Sequence, residues 1–408
     1  MSLKVAVIGG GASGMMAAIN CAYTGAKVVL LERNDRVGKK LLATGNGRCN
    51  YTNENMKLDF LYGEDHLFIE KVMEKFNRDQ TVEFFEKIGI VPASEGDGKI
   101  FPLSFQSSSV LDVLRYEMEK VGIEVLTDSY VVEIKKEKDF LVKLKEGKSI
   151  RGDRVIVTTG GRAMPVSGSD GNGYGLVKPL GHGTVETTPA LVQLKLKGDI
   201  FKQINGVKFV GRVVLYIDGK RTKEDFGDVL FTDYGISGPP VLQISREAIR
   251  AQEKGIDTRV RISIISGKTK EEVFSYLKER FKNFPERTLD FGLVGLINKR
   301  LILPILKELD LDKNKVVGSL ENREIEALAE ILTSWEFPVI GNKGWGQAQT
   351  TAGGIMTKDI NPDTMESKLV KGLFFAGEIL DVDGDCGGYN LQWAWSSGYL
   401  AGLSAGSL

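Results

Sequence analysis

An α/β fold is predicted by three observations. A strand, a glycine turn, a helix, a second strand and an acidic residue follow one another over residues 4–38. Near the other end of the chain, an apolar strand closes on Ala376-Gly377-Glu378. Between them, from about residue 189, the pattern changes to alternation and short β-branched runs.

Residues 4–8, Lys-Val-Ala-Val-Ile, read as a buried parallel strand. Gly9, Gly11 and Gly14 then give G-x-G-x-x-G, and residues 15–23 continue as an Ala- and Met-rich helix. Gly9 permits the tight turn, Gly11 lets the backbone approach a pyrophosphate, and Gly14 lets the helix pack close to the strand. At the helix N-terminus the N–H groups of Ala12 and Ser13 meet phosphate oxygens at the positive end of the helix dipole. Residues 28–31 form the next strand. Glu32 closes it, placed to accept both ribose hydroxyls and to repel a 2′-phosphate, with Arg33 beside it. An isolated G-x-G-x-x-G also occurs as an ordinary glycine turn. Here strand, helix, second strand and acid agree on a Rossmann-like nucleotide-binding unit.

The loop after Glu32, Arg33-Asn34-Asp35-Arg36-Val37-Gly38-Lys39-Lys40, resembles the FAD-binding N-terminus of the glutathione-reductase-like flavoproteins. Such proteins also use a strand ending in Ala-Gly-acid to bring backbone and a carboxylate to the pyrophosphate and ribitol, which Gly377 and Glu378 match. NAD dehydrogenases have no need of that second segment, so the pair of signals favours FAD. No second strand–G-x-G-x-x-G–helix–acid unit occurs over residues 150–340. The chain therefore has no ordinary NAD(P)H domain, and NAD(P)H or O₂ is expected to meet the flavin only transiently.

Four stretches carry a closer resemblance. They are residues 38–50 (Gly-Lys-Lys-Leu-Leu-Ala-Thr-Gly-Asn-Gly-Arg-Cys-Asn), residues 230–239 around Phe231-Thr232-Asp233-Tyr234-Gly235, residues 364–368, and residues 381–392 with Gly387-Gly388-Tyr389-Asn390-Leu391-Gln392. Together they resemble a bacterial FAD-dependent flavoprotein family whose members include aminoacetone oxidase and a dehydro-bile-acid reductase, over about residues 5–402. The resemblance implies an FAD-dependent oxidoreductase. It implies that Lys39, Lys40, Thr44, Gly45, Gly47, Arg48, Cys49 and Asn50 serve the cofactor site, and that the backbone of Val131 touches the adenine edge. Asp233 is a departure, since many relatives have His there.

Composition agrees with a soluble enzyme. The 408 residues exceed one typical core, so two or three domains are expected. Lys+Arg and Asp+Glu both number 54, and no charge block stands out as a nucleic-acid arm. Apolar runs are of strand length, too short to span a bilayer. No signal-peptide layout precedes the first strand, and three scattered Cys are too few for a disulfide framework. A cytoplasmic setting with no membrane or nucleic-acid partner is the expectation.

The remaining elements follow in order. Residues 66–88 have helical spacing, and Ser107-Ser108-Ser109 offers an N-cap for a helix through residue 121. Residues 123–126, 131–135, 140–144 and 154–158 read as strands, the last ending in Thr159-Gly160-Gly161, where glycines let the chain pass close beneath a dinucleotide. The discontinuous FAD-binding domain is thus 1–188 and 351–408. Residues 191–196, 207–217 and 259–265, with Gly219 and Gly227 at turns, predict an inserted β-rich, barrel-like domain over 189–268 and 336–350. Residues 241–252 form a helix with Pro in its first turn. Amphipathic runs at 270–281, 293–309 and 323–335 predict a helical subdomain over 269–335.

Gly388, Tyr389, Asn390 and Leu391 precede an expected helix through Trp393-Ala394-Trp395, and a helix N-terminus near flavin N1 and O2 would stabilise the reduced ring by about 0.3–2 kcal/mol. Their alternative is a tightly packed glycine-rich helix entry. For Lys39 and Lys40 the alternative is a solvated basic pair. Cys49 reads as a redox thiol or as packing, and it lacks a C-x-x-C partner. Only His66 and His182 are present, neither in a motif, which disfavours His-centred catalysis and a His-rich metal site. Asp233, Tyr234 and Tyr389, with Glu378, are the polar groups expected nearest a small-molecule substrate, with the 189–350 insert closing over the flavin. An RNA-modifying flavoprotein and a flavin-binding protein without turnover are the competing classes.

Overall fold

The computed structural model describes residues 2–407. They form two compact units. One comprises the chain up to Pro189 together with the segment from Ala348 onward; the other is Ala190–Gln347.

The first unit is organised on a five-stranded parallel sheet in the order Leu373–Phe375, Arg154–Val157, Lys4–Ile8, Lys27–Leu31, Glu124–Leu126. Ala6, Val7, Leu30, Val155, Ile156 and Phe375 are fully buried, so these strands read as continuous apolar runs rather than as alternation. Register pairs Ile8 with both Leu31 and Val157. Gly9, Glu32 and Thr158 therefore leave the sheet together at its carboxyl edge, where parallel sheets bind ligands. Val131–Lys136, Phe140–Leu144 and Ser149–Gly152 form a separate antiparallel sheet.

Two helices pack along each other beside this sheet, Ala12–Tyr23 and Tyr389–Gly406. Their contact is a stripe of small residues at four-residue spacing. A Cβ on Gly398 would press on the Ser13 carbonyl oxygen at 2.6 Å, one on Gly402 would collide with the Ala17 carbonyl, and one on Gly406 would meet the Cys21 carbonyl at 2.8 Å. Residues four apart share a helix face, so three glycines oppose Ser13, Ala17 and Cys21 and the two backbones meet directly.

The second unit is a closed six-stranded barrel in the order Leu194–Leu196, Gly235–Ser237, Lys220–Thr232, Lys208–Ile217, Thr258–Ser263, Trp335–Asn342. Val213, Leu215, Phe231, Val260 and Ile262 are fully buried. Helix Pro239–Glu253 has Pro in its first turn, as expected. Helices Lys270–Asn283, Lys299–Glu308 and Asn322–Thr333 follow, the first closed by a Thr269/Glu272 capping box.

Several local readings are corrected. Residues 66–88 are two helices, His66–Lys75 and Arg78–Lys87, because Asn77 caps the second with a capping box to Gln80. Ser107 does not cap its helix; it is the first helical residue, and its hydroxyl donates to the Leu42 carbonyl at 2.9 Å. Residues 293–298 are not helical, since Asn298 starts the helix with a side-chain cap on the Arg300 N–H. Gly227 is not at a turn but within strand Lys220–Thr232, opposite Gly211. That strand went unread because its first half, Lys-Arg-Thr-Lys-Glu-Asp, is polar and largely exposed. Trp335 opens a strand rather than ending a helix, because Ser334 leaves the αR region after Thr333. Among the described residues, no helix is long and apolar enough to cross a membrane.

The glycine stripe yields a prediction of sign. In an exposed helix interior, Gly→Ala gains about 1 kcal/mol from propensity alone. Gly402→Ala is expected instead to lose about 1–3 kcal/mol by overpacking against Ala17. Denaturant midpoints of the two proteins check it, and a more stable variant would disprove direct backbone packing.

Candidate functional site

The ends of three parallel strands open onto one cleft. Gly9, Gly11, Ala12 and Ser13 follow the first strand, Glu32 and Arg33 the second, Thr159 and Gly160 the third. Lys39, Lys40, Thr44, Val131, Glu378, Asn390 and Leu391 complete the predicted part of its lining.

The three motif glycines divide their work in space. Gly9 has φ +106°, and a Cβ there would press on the Thr158 carbonyl. A Cβ on Gly14 would collide with the Gly9 carbonyl, so the helix lies against the turn. A Cβ on Gly11 would meet nothing within 4 Å, and this glycine faces open cleft. The helix beginning at Ala12 has no side-chain cap and no acid in its first turn. Its first amides are left for a ligand.

Glu32 is 7% exposed and held rigidly. One carboxylate oxygen accepts from the Gly10 N–H at 2.8 Å; the other accepts from the Asn34 N–H at 2.8 Å and its side-chain amide at 2.7 Å. The Asn34 amide also donates to the Ser167 carbonyl at 2.9 Å. Turn and acid are thereby one piece, and a carboxylate oxygen keeps acceptor capacity beyond these bonds. Arg33 lies over the Tyr130 ring at 4.6 Å and pairs with Asp170.

A second carboxylate enters from far along the chain. Glu378 pairs with Lys40 at 2.6 Å, both about one-fifth exposed, and accepts from the Thr351 N–H at 3.0 Å. Lys39 pairs instead with the exposed Asp35 at 2.8 Å. Gly377 does not line the cleft. With φ +82°, it is wedged between the two packed helices: its N–H donates to the Ser397 hydroxyl at 2.9 Å, Trp393 donates to its carbonyl at 3.2 Å, and a Cβ would strike Ser13. Gly161 also lies behind the lining, where a Cβ would meet Thr351 and the Glu378 carboxylate.

The start of helix Tyr389–Gly406 is fixed by Gly388, at φ +97° against Thr52. Asn390 exchanges two hydrogen bonds with Gly384, at 2.7 and 2.9 Å. Tyr389 is 5% exposed, donates to the Asn55 carbonyl at 3.3 Å, and does not line the cleft. Burial, with Asp385 nearby, pushes its hydroxyl up to about 12.

Only Thr44 of the 44–50 loop lines the cleft. Gly45, Gly47 and Cys49 all take left-handed backbone, which curls the loop behind it. Arg48 turns outward, paired with Glu95 at 2.9 Å and over the Phe101 ring at 4.5 Å. The Asn50 amide bridges the Ile100 and Thr52 carbonyls. Cys49 is fully buried, and burial pushes its thiol up to about 12, so it stays protonated.

Asp233 and Tyr234 belong to the second unit, at the turn between strands Lys220–Thr232 and Gly235–Ser237. Asp233 is exposed. Tyr234 is half-buried under the Lys343 ammonium, 4.3 Å from its ring centre.

Sequence reasoning missed Gly10, Ser129, Ser169, Asn172 and Gln349 in the lining. Ser169 and Asn172 lie in the glycine-rich 168–173 loop, Gly-Ser-Asp-Gly-Asn-Gly. The Thr159 hydroxyl, also in the lining, is buried without a hydrogen-bond partner among the described residues. Uncapped helix amides, an open glycine and a ribose-height carboxylate together fit a dinucleotide such as FAD. Among the described residues no cluster could hold a metal ion.

Known proteins match this chain over nearly its whole length. A 3-dehydro-bile acid delta(4,6)-reductase of Clostridium scindens is 38% identical over 404 residues, 98% of each chain. A ribosomal RNA dihydrouridine synthase of Haemophilus influenzae is 29% identical over 402 residues, 98% of this chain and 97% of that one. A solved 3-ketosteroid delta1-dehydrogenase from Sterolibacterium denitrificans covers 98% of this chain and 99% of its own at 12% identity, with a TM-score of 0.49. The family profile described as the HI0933-like protein Rossmann domain matches residues 3–404. Strand-end cleft, glycine turn and full-length match converge, and the chain belongs to the HI0933-like Rossmann-domain family.

Proposed function

We propose that this protein is an FAD-dependent oxidoreductase that reduces a small organic substrate, with NAD(P)H as its transient electron donor. The observation that carries the reading is the pairing of two remote carboxylates on one cleft, Glu32 at ribose height and Glu378 beside Lys40. An NAD site needs only the first.

Bound FAD would supply two-electron chemistry, accepting electrons from the nicotinamide and passing a hydride to the substrate. The chain's own residues bind and orient. The amides of Ala12 and Ser13, with Lys40, would hold the pyrophosphate. Glu32 would accept from ribose hydroxyls, the backbone of Val131 would serve the adenine edge, and Glu378 would serve the ribitol. Thr159 and Gly160 would lie beneath the dinucleotide. The first amides of helix Tyr389–Gly406 would favour negative charge on the flavin. Gly45, Gly47, Arg48, Cys49 and Asn50 act behind this layer by fixing Thr44. Asp233 and Tyr234 are read as the groups that meet substrate.

Reduction, rather than oxidation, is supported by the relatives' names. A delta(4,6)-reductase and a dihydrouridine synthase both denote addition of hydrogen across a ring double bond. The dihydrouridine synthases also favour a second reading, in which the substrate ring is a uridine in RNA. The deciding experiment reduces the holoprotein anaerobically with NAD(P)H and then offers cyclic enones and uridine-containing RNA. Flavin reoxidation by enones alone supports the first reading, by RNA alone the second, and by neither a binding protein without turnover.

FAD is expected to copurify and to be released by heat, with chromatography identifying it; NAD alone would sink the reading. Gly11→Val should abolish FAD binding, because its side chain fills the space a pyrophosphate needs.

Asp233→Ala and Tyr234→Phe should lower turnover or raise KM while leaving flavin content and spectrum unchanged. Loss of FAD in both would move these residues to cofactor binding.

Cys49→Ala with Cys386→Ala should retain FAD and its reduction by the same donor. Complete loss of turnover with flavin retained would assign the two thiols a redox role.

A further inference from the structure

A second concavity lies on the barrel unit and shares no residue with the nucleotide cleft. It is a groove of about 430 Å³. Its floor is one face of strand Lys208–Ile217, where Arg212, Val214 and Tyr216 alternate outward with the buried Val213 and Leu215. Register supplies the walls. Val214 lies opposite Glu224 on one side and Arg261 on the other, and Arg212 lies opposite Ser263. A register shift between Leu215 and Tyr216 brings Arg221 opposite Tyr216. The far end is the Gly267-Lys268-Thr269 loop, with Thr333 and Ser334 beside it.

The groove is built to hold negative charge. Four cations line it, Arg212, Arg221, Arg261 and Lys268, against one carboxylate, Glu224. That carboxylate is shared: Arg221 pairs with it directly, and Arg212 approaches only to 3.6 Å. Arg261 is held by Glu336 at 2.7 Å and lies over the Tyr216 ring at 4.3 Å. The Lys268 ammonium has no ion-pair or hydrogen-bond partner among the described residues. Guanidinium forks favour planar bidentate contact with phosphate oxygens. The Arg261 guanidinium, lying over the Tyr216 ring, offers beside Val214 a plane of the kind on which a base stacks.

We propose that this groove is a binding site for a nucleotide, its phosphate held by Arg212, Arg221 and Lys268 and its base lying on Val214 and the Arg261 guanidinium. The observation is independent of the FAD reading, and the site takes no part in the chemistry assigned to the first unit. Glu224 is the restraining element, because it competes with phosphate for both guanidiniums.

The test titrates the full-length protein, saturated with FAD, with adenosine 5′-monophosphate, inorganic phosphate and a single-stranded RNA decamer by calorimetry. FAD saturation blocks adenosine binding in the first cleft. Adenosine monophosphate is expected to bind more tightly than inorganic phosphate. Arg212→Ala with Arg221→Ala should weaken it about 10-fold or more, as loss of charge-assisted hydrogen bonds does. Glu224→Gln should tighten it several-fold, a gain that damage to the barrel cannot produce. Each variant's thermal midpoint and flavin content are measured alongside. The proposal is overturned if adenosine monophosphate does not bind, if phosphate binds as well as the nucleotide, if only RNA binds, or if Glu224→Gln weakens binding in a folded protein.

Discussion

Direct backbone contact between helices Ala12–Tyr23 and Tyr389–Gly406 underlies the architecture of the first unit. The first helix presents its amides to the cleft, and the second begins at Asn390 and Leu391 on the same cleft. Their separation is set by Gly398, Gly402 and Gly406, which leave no room for side chains. Gly377 is clamped where the two helices meet, through Ser397, Trp393 and Ser13. Glu378, the next residue, is thereby carried to Lys40. Close packing transmits small changes of volume into displaced backbone. The spacing of two helices thus governs the position of a carboxylate on neither of them.

Much of this was legible in the sequence, for a physical reason. Turns that must adopt positive φ or admit another backbone tolerate only glycine, so Gly9, Gly11 and Gly14 leave a readable spacing. Buried parallel strands leave continuous apolar runs, and residues 4–8 and 154–157 were visible as such. What was not legible depends on register and loop curvature. Strand Lys220–Thr232 hides because one of its faces is solvated and charged. The 44–50 loop reads as one motif, yet left-handed backbone at Gly45, Gly47 and Cys49 sends Thr44 to the cleft and Arg48 to the surface. A run of adjacent letters does not reveal which of them share a face when the backbone reverses hand.

Net charge shows the same loss of information. Equal numbers of acidic and basic residues describe the chain as neutral. On the barrel, however, strand pairing gathers Arg212, Arg221 and Arg261 from three separate strands into one groove. The field that a ligand meets is set by local arrangement within a Debye length of about 10 Å. A sum over the chain says little about it.

The helix pair also orders events in time. Ala12–Tyr23 is synthesised well before its packing partner, Tyr389–Gly406. The barrel unit, Ala190–Gln347, is contiguous and draws on no later segment for its six strands. During translation, at about 5–20 residues per second, the inserted unit can therefore close while the unit that precedes it still lacks its second helix. Until helix Tyr389–Gly406 is made, the face of the first helix that carries Ser13, Ala17 and Cys21 stays uncovered. The nucleotide-binding unit is begun before the barrel and finished after it.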